Sequence, residues 1–205
     1  MTKKITPKQK ISKRGRPGYN QESMLEVIVE VFTTHGYDAS SLEVIAKHLG
    51  LSKSAVYHHF SSKEEMLELA LEQALGALEN IFDEAEASTL DAASRIRTII
   101  TRAVHVASTK RQYLTLLLRL HGNTAVEQRA LERRRALTSR LVNIFEEARL
   151  EGTLRNDLDP WLAARYSFGI VNSLVEWYQP DGQISPEDLA ESVLLFVRTG
   201  LGVRS

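Results

Sequence analysis

The most informative segment of the chain is SSLEVIAKHLGLSKSAVYHHFSSKEEML, which spans residues 40–67. Ser40 is followed three residues later by Glu43, a spacing typical of a capping box at the start of a helix. Apolar side chains then recur at helical spacing and predict one buried face, formed by Val44, Ile45 and Leu49. Gly50 follows directly, and glycine is the usual residue at a left-handed helix end.

A second short helix is predicted after this turn, with Ser52 as its N-cap. Val56 and Phe60 lie four residues apart, so they share the face that must pack against the first helix. The other positions are small or polar and suit phosphates and base edges; they are Ser52, Lys53, Ser54, Ala55, Tyr57 and His58. This pattern favours a helix-turn-helix, although an ordinary helical hairpin with a solvated face also fits it.

A further helix begins within the same segment, because Ser62 and Glu65 form a second capping box. Lys63 falls in its first turn, where the helix dipole favours anions over cations. A neighbouring DNA phosphate would explain a lysine at that position.

The helix before the segment completes a three-helix unit over residues 20–60. Asn20 can cap this helix, and Gly36 ends it. Its apolar residues follow the helical i, i+3, i+4, i+7 pattern, at Leu25, Ile28, Val29 and Phe32. Such a unit is the minimum that gives a helix-turn-helix a hydrophobic core of its own.

Residues 20–67 resemble the DNA-binding domain of the TetR (tetracycline repressor) family of transcriptional regulators. The matching residues are Phe32, Gly36, Tyr37, Ser40, Ser41, Ile45, Ala46, Leu49, Gly50, Leu51, Ser52, Val56, Tyr57, His58, His59, Phe60, Ser62, Lys63, Glu64 and Leu67. The resemblance implies that Ser41 contacts a backbone phosphate and that Lys63 clamps another. It implies contacts to bases and phosphates from Ser52, Lys53, Ser54, Ala55, Tyr57 and His58. Packing of Tyr57 and an internal hydrogen-bonding role for His59 remain alternatives.

Residues 1–18 form a basic arm with seven lysines and arginines and no acidic residue. The whole chain balances 26 basic against 26 acidic residues, so the other 187 residues carry a charge of −7. We expect the arm to be disordered in isolation and attracted to phosphate. Arg14 and Arg16 lie in an Arg-Gly-Arg-Pro sequence that matches the core of the AT-hook, a minor-groove motif. General phosphate attraction and a solubilising tail are the alternatives.

Composition and motifs argue against several other classes of protein. The chain has no cysteine, which excludes disulfides and thiolate chemistry. It has neither a glycine-rich phosphate loop nor a His/carboxylate set at ligand spacing, so we expect no enzyme activity, cofactor or metal; His58 and His59 lack a second ligand pair. No apolar run reaches the ~18–20 residues of a membrane span. A signal-peptide core is absent too, so the predicted location is cytoplasmic.

The sequence after residue 67 is helical in pattern throughout, which predicts an all-α chain of about nine helices. We divide it into the basic arm (1–18), a helix-turn-helix DNA-binding domain (19–67) and a helical ligand-binding and dimerisation domain (68–205). A long helix should continue from the motif and contact both domains. The triplet Arg133–Arg135 is expected to lie on a solvated face, because Glu127, Glu132 and Glu146 lie nearby in sequence.

The last two helices begin at Asp159-Pro160 and Ser185-Pro186, each a cap followed by proline. Both are too apolar on all sides for surface helices with one buried face. In the TetR family the final two helices pair with their copies, so the resemblance implies a homodimer through these helices. Two recognition helices would then enter successive major grooves about 34–36 Å apart on a palindromic operator. An effector that changes this spacing would release the DNA, which predicts ligand-released repression.

Candidate residues for an effector pocket lie between positions 91 and 178; each could equally be a core residue. They are Tyr113, Leu117, His121, Phe145, Tyr166, Phe168, Ile170, Asn172 and Trp177. The sequence around Trp177 is similar to a Trp-Tyr-x-Pro-x-Gly ending found in TetR-family regulators that sense acyl-CoA thioesters, where we expect it to shape the turn after the helix. An acyl-CoA thioester is therefore the first candidate effector, and its phosphates predict cations at the pocket mouth, for which the candidates are Arg95, Arg97, Arg102 and Arg119. A drug-like or aromatic effector is the next candidate, and a non-specific A/T-rich DNA-binding protein is the rival from another class.

Overall fold

The computed structural model describes residues 20–201, which form nine helices and no strand. The basic arm with Arg14 and Arg16 lies outside the described residues. The helices are α1 (Gln21–His35), α2 (Leu42–Leu49), α3 (Lys53–Tyr57), α4 (Lys63–Ala87), α5 (Ala92–Thr109), α6 (Arg111–Leu118), α7 (Ala125–Leu150), α8 (Pro160–Trp177) and α9 (Pro186–Leu201). The predicted all-α fold is confirmed within this range.

The helices α1 to α3 start and stop where small polar residues and glycines direct them. The Asn20 side chain accepts a hydrogen bond from the backbone of Ser23 at 2.8 Å, which caps α1. Gly36 ends α1 with a φ of +83°, and Gly50 ends α2 in the left-handed conformation with a φ of +64°. Buried side chains from all three helices meet in one core, among them Ile28, Phe32, Ile45, Leu49 and Val56.

The start of α2 differs from the prediction by one residue. Ser41, and not Ser40, is the N-cap, and its hydroxyl accepts a hydrogen bond from the backbone of Val44. Ser40 is fully buried, and its hydroxyl donates to the carbonyl oxygen of Gly36 at 2.6 Å. The hydroxyl of Ser40 therefore ties α2 to the end of α1 rather than capping the helix.

The long helix α4 connects the two halves of the molecule, as predicted. Its 25 residues pack against α1 near the helix-turn-helix and against α5, α6 and α7 farther along. Residue 67, where we placed the domain boundary, lies inside this helix. Any displacement of α4 by the C-terminal half is therefore transmitted directly to the helices that precede it.

The C-terminal half is organised around α5, which packs against α4, α6, α7, α8 and α9. Asp159 caps α8 by accepting a hydrogen bond from the backbone of Trp161 at 2.7 Å, with Pro160 in the first turn as predicted. After α8 the buried Tyr178 donates its hydroxyl to the carbonyl oxygen of Ile184 at 3.0 Å. This contact shapes the α8–α9 turn, which is the role we predicted for the motif. Among the described helices, none is long and apolar enough to cross a bilayer.

Candidate nucleic-acid interface and ligand cavity

The short helix α3 is anchored on one side and open on the other. Val56 and Phe60 are almost completely buried against the rest of the three-helix unit. Five of the six residues predicted to face DNA are exposed, namely Ser52, Lys53, Ser54, Tyr57 and His58, and the sixth, Ala55, is half-buried. Tyr57 is 55% exposed, so it does not pack into the core.

The hydroxyls at the start of α3 are arranged by the helix cap. Ser52 accepts a hydrogen bond from the backbone of Ala55, and its hydroxyl lies 3.0 Å from the hydroxyl of Ser54. Ser41 is likewise exposed at the start of α2. The capping hydroxyls therefore lie at the surface, at the ends of helices where a phosphate would also find backbone N–H groups.

Lys53 is not free at this surface, because its ammonium group forms an ion pair with Glu43 of α2. The hydrogen bond from Lys53, followed by its positive charge, lowers the pKa of the Glu43 carboxyl. A DNA phosphate that approaches Lys53 must therefore compete with a carboxylate for it. The sequence did not indicate this pairing, since the two residues lie on different helices.

Lys63 has partners within the protein itself. Its ammonium group donates to the carbonyl oxygen of Tyr37 at 2.9 Å and lies 4.2 Å from the centre of the Tyr37 ring. These contacts provide an explanation, other than a phosphate, for a lysine in the first turn of α4. Burial, followed by the charges of Glu64, Glu127 and Asp38, raises the pKa of Tyr37 to about 12. Tyr37 is thus a neutral phenol at physiological pH.

A cavity of about 560 Å³ lies between α4, α6, α7 and α8. One part of its wall is apolar and includes Leu78, Leu114, Leu117, Leu118, Leu137 and Phe168. Another part is cationic and consists of Arg134, Arg135 and Arg165, with Thr138 and Asn172 as further polar groups. The cavity can therefore hold a molecule that combines an apolar body with an anionic group.

Three of the nine predicted pocket residues line this cavity, namely Leu117, Phe168 and Asn172. The helical period explains why the other three predicted residues of α8 do not line this cavity. Positions 165, 168, 169 and 172 line the cavity, and positions 165 and 169 also border a groove with α9, whereas Tyr166, Ile170 and Trp177 do not line the cavity. Tyr166 and Ile170 border a groove with α9, and Trp177 is 52% exposed.

The other three predicted pocket residues also lie elsewhere. Phe145 is completely buried in the hydrophobic core. Tyr113 lines a groove beside α1, and His121 lies where the α6–α7 connection meets the helix-turn-helix. At that junction Arg119 donates to the carbonyl oxygen of Thr33 at 3.1 Å. Tyr113, His121 and Phe145 therefore do not border the cavity.

The predicted cations are also not the ones at this cavity. Arg95 pairs with Glu147 and Arg102 pairs with Glu84, while Arg97 is exposed and is not among the cavity-lining residues. Arg134 and Arg135, which we expected on a solvated face, both line the cavity; Arg135 is exposed, whereas Arg134 is half-buried. Burial, followed by the charge of Arg135, lowers the pKa of Arg134.

The α8–α9 surface carries exposed apolar side chains. Phe196 is 65% exposed and Leu195 is 55% exposed on α9, and Tyr166 is 54% exposed on α8. A groove of about 620 Å³ between the two helices is bordered by Tyr166, Ile170, Phe196 and Val197. Contiguous exposed apolar surface of this kind is typical of a protein–protein interface.

Two family models match the chain in the order in which these features occur. The model described as "Bacterial regulatory proteins, tetR family" matches residues 24–70, and the model described as "Tetracyclin repressor-like, C-terminal domain" matches residues 89–201. The chain belongs to the TetR family of transcriptional regulators. The protein is accordingly a DNA-binding transcriptional regulator and not an enzyme, and contacts from the exposed face of α3 to DNA stay a prediction.

Individual relatives agree with this assignment. The chain is 24% identical to the transcriptional repressor KstR2 of Rhodococcus jostii (strain RHA1), over 96% of this chain and 98% of the relative. The structure of SCO3833, a TetR-family member from Streptomyces coelicolor A3, matches with a TM-score of 0.81 and 39% identity, over 95% of this chain and 98% of that one. AibR, solved with isovaleryl coenzyme A and operator DNA, shares the fold with a TM-score of 0.73 at 19% identity, over 90% and 99% of the two chains.

The Lys53–Glu43 pair predicts that Glu43→Gln strengthens DNA binding. The change releases Lys53 and removes a negative charge beside the recognition helix, so the operator Kd should fall about two- to fivefold at low salt. Fluorescence anisotropy across a salt series measures this effect, which should shrink as salt rises. Glu30→Gln, an equal change of charge on α1, is the control. An equal gain in both variants would show that the ion pair has no specific influence.

The Lys63–Tyr37 contact predicts that Lys63→Met lowers the free energy of unfolding by about 1 kcal/mol, because a partly buried carbonyl loses its donor. Urea denaturation measures this, with the exposed Lys47→Met as control. If Lys63 serves instead as the phosphate clamp implied by the family resemblance, stability stays unchanged. In that case the operator Kd rises and the salt dependence of binding decreases by about one phosphate contact.

Proposed function

We propose that this regulator is a homodimeric repressor that binds a palindromic operator and is released by an amphipathic anion, with acyl-CoA thioesters as the first candidate class. The observation that carries the proposal is the mixed wall of the cavity beside α4. Leucine side chains form one side, and three arginines supply positive charge on another. A thioester of coenzyme A presents an acyl chain and phosphate groups, which match these two chemistries.

The pairing of the cavity arginines supports an anionic ligand. Within residues 20–201, Arg134, Arg135 and Arg165 form no ion pair, whereas neighbouring arginines on α7 do. Arg134 donates one hydrogen bond to the carbonyl oxygen of Leu117 at 3.1 Å, and Arg165 stacks on the ring of Trp161 at 4.8 Å. An anion that enters here would relieve repulsion between like charges and would also gain hydrogen bonds.

The position of the cavity supports release of DNA as the response. Leu78 of α4 lines the cavity, and the same helix begins at Lys63, directly after the helix-turn-helix. A ligand that displaces this part of α4 would change the separation of the two recognition helices in a dimer. An operator with half-sites about 34–36 Å apart is sensitive to such a change. Similarity to KstR2, a transcriptional repressor, supports repression rather than activation.

The exposed α8–α9 face supports the homodimer. A second copy of this face would cover Phe196, Tyr166 and their neighbours through a twofold contact, in which the same patch serves both subunits. The small residues Gly169, Ser173 and Gly200 border the groove and would allow helices to approach closely. Dimerisation also supplies the two recognition helices that a palindromic site requires.

The dimer is tested by Phe196→Glu, which places a charge in the proposed interface. Light scattering should show the mass of a dimer for the unmodified protein and the mass of a monomer for the variant, because an unpaired buried charge is costly. Leu150→Glu is the matched control, since Leu150 is 73% exposed at the end of α7. A dimer that persists in Phe196→Glu would place the interface elsewhere.

The effector class is tested with an operator obtained by selection from random DNA. Acyl-CoA thioesters from acetyl to palmitoyl are titrated into the operator complex, with free CoA and free fatty acids as controls. Arg135→Met should weaken thioester binding roughly ten- to hundredfold, as expected for loss of a hydrogen bond between charged groups. Arg155→Met is the control, because Arg155 pairs locally with Asp157 outside the cavity. Release by aromatic or drug-like compounds alone would exclude the thioester class.

A further inference from the structure

Ion pairs join α4 to α7, with the arginines on α7 and the carboxylates on α4. Three arginines on α7, Arg129, Arg133 and Arg140, pair with carboxylates on α4, namely Glu68, Glu72, Glu79, Asp83 and Glu86. Isolated surface ion pairs contribute little to stability, but networks with bidentate geometry are the exception. The bidentate pairs of Arg133 and Arg140 are therefore the ones in this row that contribute to how α4 is held against α7.

Arg133 has the most complete set of contacts in the row. Its Nε and Nη2 donate to the two carboxylate oxygens of Glu79 at 2.8 and 2.6 Å. Its Nη1 and Nη2 donate to the two oxygens of Glu72 at 2.8 and 3.3 Å. The two carboxylates are seven residues apart, which is two helical turns, so one guanidinium group bridges two turns of α4. Hydrogen bonds to Glu79 and then Glu72 raise the pKa of Arg133.

Gly76 lies between these two carboxylates on α4, and its lack of a side chain gives Glu72 its position. A Cβ atom at Gly76 would lie 2.7 Å from the Oε1 atom of Glu72. The Glu72 side chain therefore passes over the backbone of α4 at Gly76 to reach Arg133. Glycine inside a helix is unfavourable relative to alanine, and room for this carboxylate is a structural reason for it.

The Arg133 contact and the cavity lie at the same place along the two helices. Arg134 and Arg135 line the cavity directly after Arg133, and Leu78 lines it directly before Glu79. Consecutive helical residues point about 100° apart, so Arg133 pairs with α4 while Arg134 and Arg135 face the cavity. A ligand that moves this turn of α7 must therefore also move the guanidinium group that holds α4.

We propose that Arg133, Glu72 and Glu79 form a latch that fixes α4 against α7 and transmits occupancy of the cavity to the DNA-binding helices. The transmission rests on the proposed function, since it requires an effector in this cavity. The latch also acts without effector, because it holds α4 in position for operator binding. Its groups are partly exposed, so they can separate without exposing the hydrophobic core.

Arg133→Met tests the latch, with Arg129→Met as the matched control because Arg129 forms a simpler α7–α4 pair with Glu68 alone. Operator Kd is measured first without effector and then with saturating octanoyl-CoA, and octanoyl-CoA binding is measured separately by calorimetry. In Arg133→Met we expect the effector-free operator Kd to rise at least fivefold, in the range of allosteric couplings. The affinity for octanoyl-CoA should stay within twofold of that of the unmodified protein, but saturating octanoyl-CoA should no longer change the operator Kd. Arg129→Met should change the effector-free operator Kd less than twofold and retain the octanoyl-CoA effect.

Two further variants distinguish loss of the latch from loss of the folded structure. Glu72→Gln combined with Glu79→Gln should reproduce the Arg133→Met effects, and adding Arg133→Met to this pair should change little more. Arg133→Lys keeps the charge without the forked geometry, and should fall between the two extremes. An effector-free operator Kd within twofold of the unmodified protein in Arg133→Met overturns the latch, as does an unchanged response to octanoyl-CoA. Failure of the unmodified protein to bind octanoyl-CoA counts against the proposed effector, and the effector-free measurement then decides the latch.

Discussion

The continuity of α4 is the constraint on which the rest of the molecule depends. One helix of 25 residues packs against α1 at its beginning and against α5, α6 and α7 along its length. A helix cannot bend sharply without breaking its own hydrogen bonds, so a shift in one half is carried to the other. The capped start of α4 at Ser62 and the Lys63–Tyr37 contact join it to the helix-turn-helix. The cavity and the exposed face of α3 are therefore mechanically connected, although they lie in different halves.

Local sequence signals predicted the helix ends well, because caps act through neighbouring backbone groups. Asn20, Ser52, Ser62 and Asp159 all cap the helices expected of them. Ser40 shows where such signals fail. Only Ser40 has a glutamate three residues later, yet Ser40 is buried against α1 and Ser41 caps α2 instead. Which serine caps α2 depends on tertiary packing, and the spacing of residues in the sequence carries no information about that packing.

The cavity was harder to predict, for reasons that lie in helix geometry. Because α8 carries apolar residues on several faces, its hydrophobic periodicity does not say which face meets a cavity and which meets another subunit. Phe168 and Tyr166 are equally good candidates by composition, yet only Phe168 lines the cavity. The arginine triplet poses the same problem, since three identical residues in sequence take up different surroundings. Only the direction of each side chain separates Arg133, which binds α4, from Arg134 and Arg135.

The distribution of charge around that triplet is the strongest argument that the cavity has a ligand. Acidic residues are abundant on α4. Those that face α7 pair with Arg129, Arg133 and Arg140, and none pairs with the cavity arginines within the described residues. A solvated face would explain Arg135, because its exposed guanidinium group stays hydrated without an ion pair. It does not explain Arg134, which is half-buried beside another positive charge and, among residues 20–201, has a single carbonyl as the hydrogen-bond partner of its side chain. Burying a cation beside a like charge is unfavourable unless an anion completes the site. An effector with a negative group would supply that anion.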